Sequence, residues 1–171
     1  IRYLLRHRHL SPFEMCELKL HVKLPIFVAR QWIRHRTANV NEYSGRYSVL
    51  DHEFYVPRPE HLSTQARSNR QGRDEDHPLP PDQAARVLDL LRSDAEGCFA
   101  HYDELLKGAA VEGSEETGLA RELARINLPL GTYTQWYWKI DLRNLLHFLS
   151  LRLEGHAQWE IRVYAEVIGQ V

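Results

Sequence analysis

Residues 30–48 read RQWIRHRTANVNEYSGRYS, and the fold and function of this 171-residue chain turn on them. Ahead of Arg36 the apolar positions Ile26, Ala29 and Ile33, with Val28 and Trp32, recur at helical spacing. Pro25 sits where a first helical turn tolerates a missing amide, so a helix is expected over 25–35. From Arg36 to Ser48 no apolar period survives and Asn, Ser and Gly abound, which predicts a long ordered loop. Long loops in compact domains are usually functional. Four arginines, His35, Asn39, Asn41, Glu42, Ser44 and Gly45 thus meet at a helix end and its loop. Forked guanidinium donors suit phosphate oxygens, the Ser44 hydroxyl adds a donor, and Gly45 admits close approach of backbone amides; together these describe a phosphate cradle. Glu42 offers an acceptor to a ribose hydroxyl or a base amide. As an isolated triplet, Arg34, His35 and Arg36 are better explained by the attraction of cations to a helix C-terminus.

Composition narrows the ligand. With 43% hydrophobic residues the chain is the size of one domain with its own core. The formal net charge is −1, yet residues 1–48 carry about +6, residues 49–124 about −8 and residues 125–171 about +1. A cationic segment in a near-neutral protein points to a compact anion such as a nucleotide; a long polyanion usually recruits a pI above roughly 9. Nucleic acid is therefore disfavoured as a partner. The start, IRYLLRHRHL, lacks the apolar core of a signal peptide, and no apolar run approaches the roughly 20 residues of a membrane span, so a cytoplasmic enzyme with no membrane partner is expected. The helical pattern begins with no capping residue ahead of it, which suggests that residues precede Ile1.

Outward from the central stretch, residues 2–8 read as a helix tail broken by Ser11 and Pro12, then a strand from Phe13 to Val22. Residues 53–57 (EFYVP) read as a short strand, and residues 60–81, charged and rich in Pro, as a mobile connection. A long amphipathic helix spans Asp82–Lys107 with Ala84, Leu88, Leu91, Ala95, Cys98, Tyr102 and Leu105 as its apolar stripe. A helix is expected from Glu115 to Arg125 and a strand from Tyr133 to Ile140. Asp141 can cap the next helix, in which Leu142, Leu145, Leu146 and Leu149 form the buried stripe while Arg143, His147 and Ser150 share a polar face. A last helix runs from Ala157, with Trp159, Val163, Val167 and Val171 as its stripe.

Cys16 and Cys98 are too few for a disulfide framework and read as core thiols, with no basic neighbours to activate a nucleophile. Ser44 activated by His35 or Glu42 would make a hydrolase or covalent methylase, but the surroundings lack a nucleophile elbow. Histidine pairs such as His7 with His9, or His147 with His156, lack metal-ligand spacing, so no metal is expected. Trp136, Trp138 and Trp159 follow strand or helix periods and read as packing residues, whereas Trp32, beside the arginines, is a candidate ligand contact.

The triplet RHR followed after seven residues by Ser44, inside NEYSGRY, resembles the signature of flavin-dependent thymidylate synthases (the ThyX family). HLSPFE at 9–14, HVKLPIFVARQW at 21–32, ARINLPLGTYTQWYW at 124–138, LRNLLHFLSLR at 142–152 and HAQWEI at 156–161 also look like family segments, so nearly the whole chain outside 60–120 is covered. The resemblance implies an α+β fold, a twisted, mostly antiparallel sheet packed with long helices, in a single domain that assembles as a homotetramer with shared active sites. It implies FAD bound by Ser11, Arg34, His35, Arg36, Glu42, Asp141, Leu142, Arg143 and His147. It implies dUMP bound by Gln31, Arg34, Glu42, Ser44, Gly45, Arg46 and Arg125, with Trp32 and Tyr43 beside them, and Arg152 as the residue that polarises the uracil ring. The implied reaction is reductive methylation of dUMP to dTMP, with methylenetetrahydrofolate as carbon donor and NADPH as reductant through FAD. A fixed guanidinium beside the N3 edge suits it, because negative charge must develop on the ring for carbon 5 to attack, and no side-chain nucleophile is then needed. The family commonly has Ser where Asn39 stands and Asn at the positions of Asp141 and His147, so an added negative charge is expected on the flavin side. Two rivals follow from the same residues. One is a family member that keeps dUMP but has lost the flavin; the other is a non-catalytic nucleotide-binding or RNA-binding module that stacks bases on Trp32 and Tyr43.

Overall fold

The structure, a computed structural model, describes residues 1–67, 71–108 and 117–171. In chain order its elements are α1 (Arg2–Arg6), α2 (Ser11–Glu14), β1 (Glu17–Pro25), α3 (Ile26–Trp32), β2 (Asn39–Glu42), β3 (Ser63–Gln65), β4 (Arg73–Pro78), α4 (Pro81–Lys107), α5 (Arg121–Ala124), β5 (Tyr133–Asp141), α6 (Leu142–Arg152) and α7 (Trp159–Ile168). They form two compact bodies: Ile1–Leu24, Val28–Glu42 and Thr134–Val171 make the first, and Pro25–Phe27 with Tyr43–Tyr133 the second. The fold is mixed, as expected, but its strands form two small sheets of three and two strands, and α4 alone among the described helices is long.

In the first body β5 is the central strand of the order β1-β5-β2. Its alternation is strict on one side, where Thr134, Trp136, Trp138 and Ile140 are buried, as a pleated strand with one covered face requires. β2 pairs antiparallel with β5, Asn39 opposite Lys139 and Glu42 opposite Trp136. Nothing in NVNE favours a strand, and all four residues are exposed. An edge offered by the aromatic strand draws the segment into pairing, so a four-residue strand interrupts the expected loop. The core under β5 is aromatic. Trp32 from α3 meets Trp136 and Trp138 edge-on, stacks on Phe148 from α6 with centroids 5.0 Å apart, and touches Tyr164 from α7. Tyr164 fastens this cluster to β1 by donating its hydroxyl to the Lys23 carbonyl at 2.9 Å. α6 starts as the sequence implies: Asp141 has extended backbone and its carboxylate accepts the Asn144 amide at 2.9 Å.

Three expectations fail here for reasons of local geometry. Pro12 does not break a helix; it stands in the first turn of α2, so Phe13 and Glu14 are helical and the strand begins only at Glu17. Cys16 falls in the connection and is exposed, against its expected place in the core, while Cys98 is half-buried. The stripes of α6 and α7 are out of phase with the reading. Phe148 joins Leu145 in the core while Leu146 is 39% exposed, and in α7 Ile161, Ala165 and Ile168 are buried while Val167 is 64% exposed.

In the second body α4 packs through Phe99 and Tyr102 against Leu50 and Ala124, with Phe54, Leu105, Leu106 and Leu128 around them. The Tyr102 hydroxyl accepts the Leu50 amide at 3.2 Å, tying the end of the motif segment to the helix. α4 begins with Pro81 and stops at Gly108, whose φ of 111° is a conformation side chains rarely adopt. Of the stripe read for α4, Ala84, Ala95 and Tyr102 are buried, but Leu91 is 44% exposed and Phe99 takes a core place. EFYVP contributes one bridge, Phe54 to Thr132. The connection expected to be mobile folds into the antiparallel hairpin β3–β4, its residues 68–70 lying outside the described ones. The helix expected over 115–125 begins only at Arg121 and passes into a 3-10 turn at Arg125–Asn127, and its first residues, Glu115 and Glu116, also lie outside them.

Two substitutions separate these contributions. Trp32→Ala should lower unfolding free energy by about 3–5 kcal/mol in a denaturant titration. Asp141→Ala should cost about 1 kcal/mol, with Asp141→Asn near neutral because an amide oxygen also caps; equal losses for the two would remove the capping role.

Candidate functional site

The end of α3 tightens. Arg34 donates its amide to the Gln31 carbonyl and His35 to that of Trp32, three residues back rather than four, so the helix closes where the arginine cluster begins. Trp32, the residue before this turn but two, is 0% exposed inside the aromatic cluster. A ring enclosed on every side has no face for a base, so its expected ligand contact gives way to an anchoring part. Gln31 is half-buried and its Oε1 is buried with no hydrogen-bond partner among the described residues. Arg34 and Arg36 are exposed and make no ion pair among the described residues, which keeps two guanidinium forks available to phosphate oxygens.

His35 turns the other way, into the body. Its Nε2 accepts the Nε–H of Arg152 at 3.0 Å across 117 residues of sequence, and its ring meets Phe148 edge-on with centroids 4.9 Å apart. His147, one turn before the end of α6, lies with its ring centroid 6.5 Å from that of His35. Burial, then the charge of Arg152, then His147 push the imidazole down to about 4, so His35 is neutral at working pH. Arg152 is the last residue of α6, where the helix dipole favours a cation; its own pKa is lowered by burial, yet a guanidinium stays charged at any such pH.

Glu42, Leu142, Arg143 and Asp141 are each held by a neighbour. Thr134 donates to Glu42 Oε1 at 2.8 Å, fixing this carboxylate at the end of β2. Arg143 pairs with Glu14 of α2, and Leu142 donates its amide to the Cys16 carbonyl. Ser11 is exposed on α2. Asp141 accepts from both the amide and the side chain of Asn144; burial acts to raise its pKa, but these hydrogen bonds prevail and hold it low. A cleft of about 450 Å³ is lined by Asn39, Lys139, Asp141 and Asn144 with Glu14, Glu17, Thr37, Ala38 and Ile140.

The second body carries Tyr43, Ser44, Gly45, Arg46 and Arg125. Ser44 Oγ accepts the Arg46 amide at 3.3 Å, and Tyr43 donates its hydroxyl to the Val49 carbonyl. A Cβ at Gly45 would stand 3.1–3.3 Å from the Leu50 side chain, so close packing under the turn, not only approach of a ligand, asks for glycine. Arg46 and Arg125 both reach Glu122: Arg46 pairs with its carboxylate at 3.2 Å, and Arg125 Nε donates to its carbonyl at 3.5 Å. Arg121 donates to the Tyr47 carbonyl beside them, on a cavity of about 450 Å³ lined by Arg46, Tyr47, Arg121 and Glu122 among others. Glu122 and Arg121 carried no motif signal; only their place on the described face reveals them. Among the described residues no three His, Cys, Asp or Glu side chains are grouped to hold a metal ion, and no helix is long and apolar enough to cross a membrane.

The family model described as thymidylate synthase complementing protein matches residues 1–171. The chain belongs to the flavin-dependent thymidylate synthase family. A flavin-dependent thymidylate synthase of Gluconobacter oxydans is 64% identical over 166 residues, covering 97% of this chain and 52% of the relative. That of Ruegeria pomeroyi is 63% identical over 168 residues, covering 98% and 53%. The chain therefore spans about half the length of the curated relatives it matches. Among solved structures, the UMP/dUMP methylase PolB from Streptomyces cacaoi bound with 5-Br UMP superposes with a TM-score of 0.83 at 36% identity, covering 99% of this chain and 73% of that one. PolB bound with 5-Br dUMP gives 0.82 at 35% identity, covering 99% and 70%.

The state of His35 sets a stability signature for this family member. Because the folded chain resists the imidazolium, the unfolded chain takes up the proton first between pH 6.5 and about 4, and stability falls as pH drops through that window. Urea unfolding at stepped pH should show the loss, and His35→Gln should make it shallower there; an identical slope in the variant would show that His35 is not the proton-linked group.

Proposed function

We propose that residues 1–171 form one catalytic domain that converts dUMP to dTMP, with methylenetetrahydrofolate as carbon donor and NADPH as reductant through FAD, in a cytoplasmic homotetramer whose active sites draw on more than one subunit. The observation that carries this reading is the hydrogen bond from Arg152 to His35. It joins the middle of the arginine motif to the residue expected to polarise the pyrimidine, a pairing that neither stretch needs for its own secondary structure.

The first body's residues fit a flavin dinucleotide. Arg34 and Arg36, with no ion pair among the described residues, offer guanidinium groups to its phosphates, and Glu42, held by Thr134, presents a carboxylate oxygen to a ribose. Ser11, His147, Leu142 and Arg143 complete the proposed set, and the flavin when bound supplies the hydride that the methylation consumes. Asp141, by contrast, is occupied in capping α6, so the negative charge expected there is drawn toward the helix amides. Gln31 belongs to the proposed dUMP set, although its Oε1 is buried without a hydrogen-bond partner among the described residues.

In the second body Ser44, Gly45, Arg46 and Arg125 are assigned to the dUMP phosphate, with Tyr43 beside them. The pair of Arg46 with Glu122 has both side chains more than half exposed, so it contributes little on its own and yields readily to an anion. Arg152 is assigned to the ring: charge that develops there meets a fixed cation in a partly desolvated setting, where it is worth more than in water. The RNA-binding alternative loses one of its two stacking rings with the burial of Trp32.

Tritium release from 5-labelled dUMP with NADPH and methylenetetrahydrofolate tests the reaction directly. Arg152→Ala should slow it by about 100- to 1,000-fold, the scale of removing one preorganised donor from developing charge. Arg46→Ala should weaken dUMP binding by roughly 10- to 100-fold with flavin content unchanged. A colourless protein that binds dUMP and releases no tritium would instead favour the family member without flavin.

A further inference from the structure

We infer that His35 is the positioning residue for Arg152: its neutral imidazole, protonated on Nδ1, accepts the guanidinium Nε–H and fixes which edge of the cation faces a ligand. This rests on the reading of Arg152 as the residue that acts on the pyrimidine.

The chemistry of the pair requires that tautomer. Nε2 can accept only when it carries no proton, so the single ring hydrogen must sit on Nδ1. Arg152 ends a helix on a long side chain rich in rotamers, and tethering Nε removes much of that freedom. The tether leaves both terminal Nη groups without partners among the described residues, a planar pair of donors.

A neutral acceptor does what a carboxylate could not. Glutamate or aspartate at position 35 would orient the guanidinium while cancelling its charge, and the charge is what a uracil ring acquiring negative character needs. Burial, then the charge of Arg152, then His147 keep His35 neutral; Phe148 of α6 packs on its ring, and Arg34 and Arg36 flank it in sequence. No carboxylate is bonded to the imidazole among the described residues. Each partner therefore maintains the other: the cation suppresses protonation of the ring, and the unprotonated ring holds the cation.

Long-range ¹H–¹⁵N spectra of the purified protein labelled in histidine read the tautomer without turnover. One ring, lost in His35→Gln, should show the Nδ1–H form from neutral pH down to about pH 5. A charged ring at pH 7, or the Nε2–H form, would overturn the inference whatever the activity. In tritium release, His35→Leu should lower kcat by about 100-fold, the scale of a misplaced catalytic group. His35→Gln, whose amide oxygen can accept the same hydrogen, should recover all but about threefold at equal flavin content. Equal losses in the two variants at equal flavin content would also overturn it. A protein without turnover whose His35 still shows the Nδ1–H form supports the clamp and counts against the proposed reaction instead.

Discussion

The burial of Trp32 is the constraint on which the first body depends. Its indole is covered by Trp136 and Trp138 from the central strand, by Phe148 from α6 and by Tyr164 from α7, so one ring sets the position of four elements. Dispersion among close-packed aromatic rings is weak per atom pair but large in sum, and such a cluster resists small displacements. Trp32 lies three residues before His35, and Phe148 four residues before Arg152. Phe148 touches both Trp32 and His35. The two ends of the Arg152–His35 contact are therefore referenced to the same packed rings, which is how side chains 117 residues apart hold a 3.0 Å hydrogen bond.

What the sequence disclosed and what it withheld divides along the range of the interactions. α4, β5 and the start of α6 were legible because each is decided locally: a long run of three- and four-residue spacing, a strict alternation of aromatic residues, an aspartate placed to cap. β2 was not, since NVNE becomes a strand only because β5 offers it an edge. The phases of α6 and α7 were misread for a related reason. Each helix carries more apolar residues than one face can bury, and the choice of Phe148 over Leu146, or Ile168 over Val167, belongs to the partner surface. The site shows the same division. The arginine motif marked its residues by spacing alone, whereas Glu122, Thr134 and Glu14 enter through tertiary contacts that no short motif encodes. Trp32 was misjudged by adjacency: it neighbours the arginines in sequence but faces the core.

Placement of negative charge gives coherence to the departures from the family pattern. Asp141 stands where the family resemblance implies asparagine, yet an aspartate at an N-cap is stabilised by the helix dipole and by two donors from Asn144. Both residues serve the cap, so this substitution changes the charge while leaving the local architecture alone. Glu14 is paired with Arg143 and Glu42 is held by Thr134. The carboxylates nearest the candidate flavin residues are thus each bound to a donor, while Arg34 and Arg36 keep no counter-ion among the described residues.

Arg46 and Arg152 differ in stiffness, and the difference suits the role proposed for each. Arg46 is solvated and its pair with Glu122 falls in the class worth about 0–1 kcal/mol, so the pair can open and close at little cost as an anion arrives and leaves. Arg152 is partly desolvated and tethered through Nε to a ring wedged against Phe148. Displacing it would strand a half-buried cation without its acceptor, a loss of about 1.5–3 kcal/mol for a hydrogen bond to a charged group. A phosphate needs to be captured and released, and loose exposed pairs permit that. A ring that must acquire charge at one atom needs a cation already in place, since a side chain that had to reorient during the reaction would add its reorganisation to the barrier. The proposed soft recognition and rigid activation would follow from the unequal burial of Arg46 and Arg152, and that difference traces back to whether the neighbouring segment is packed on the aromatic cluster or lies in solvent.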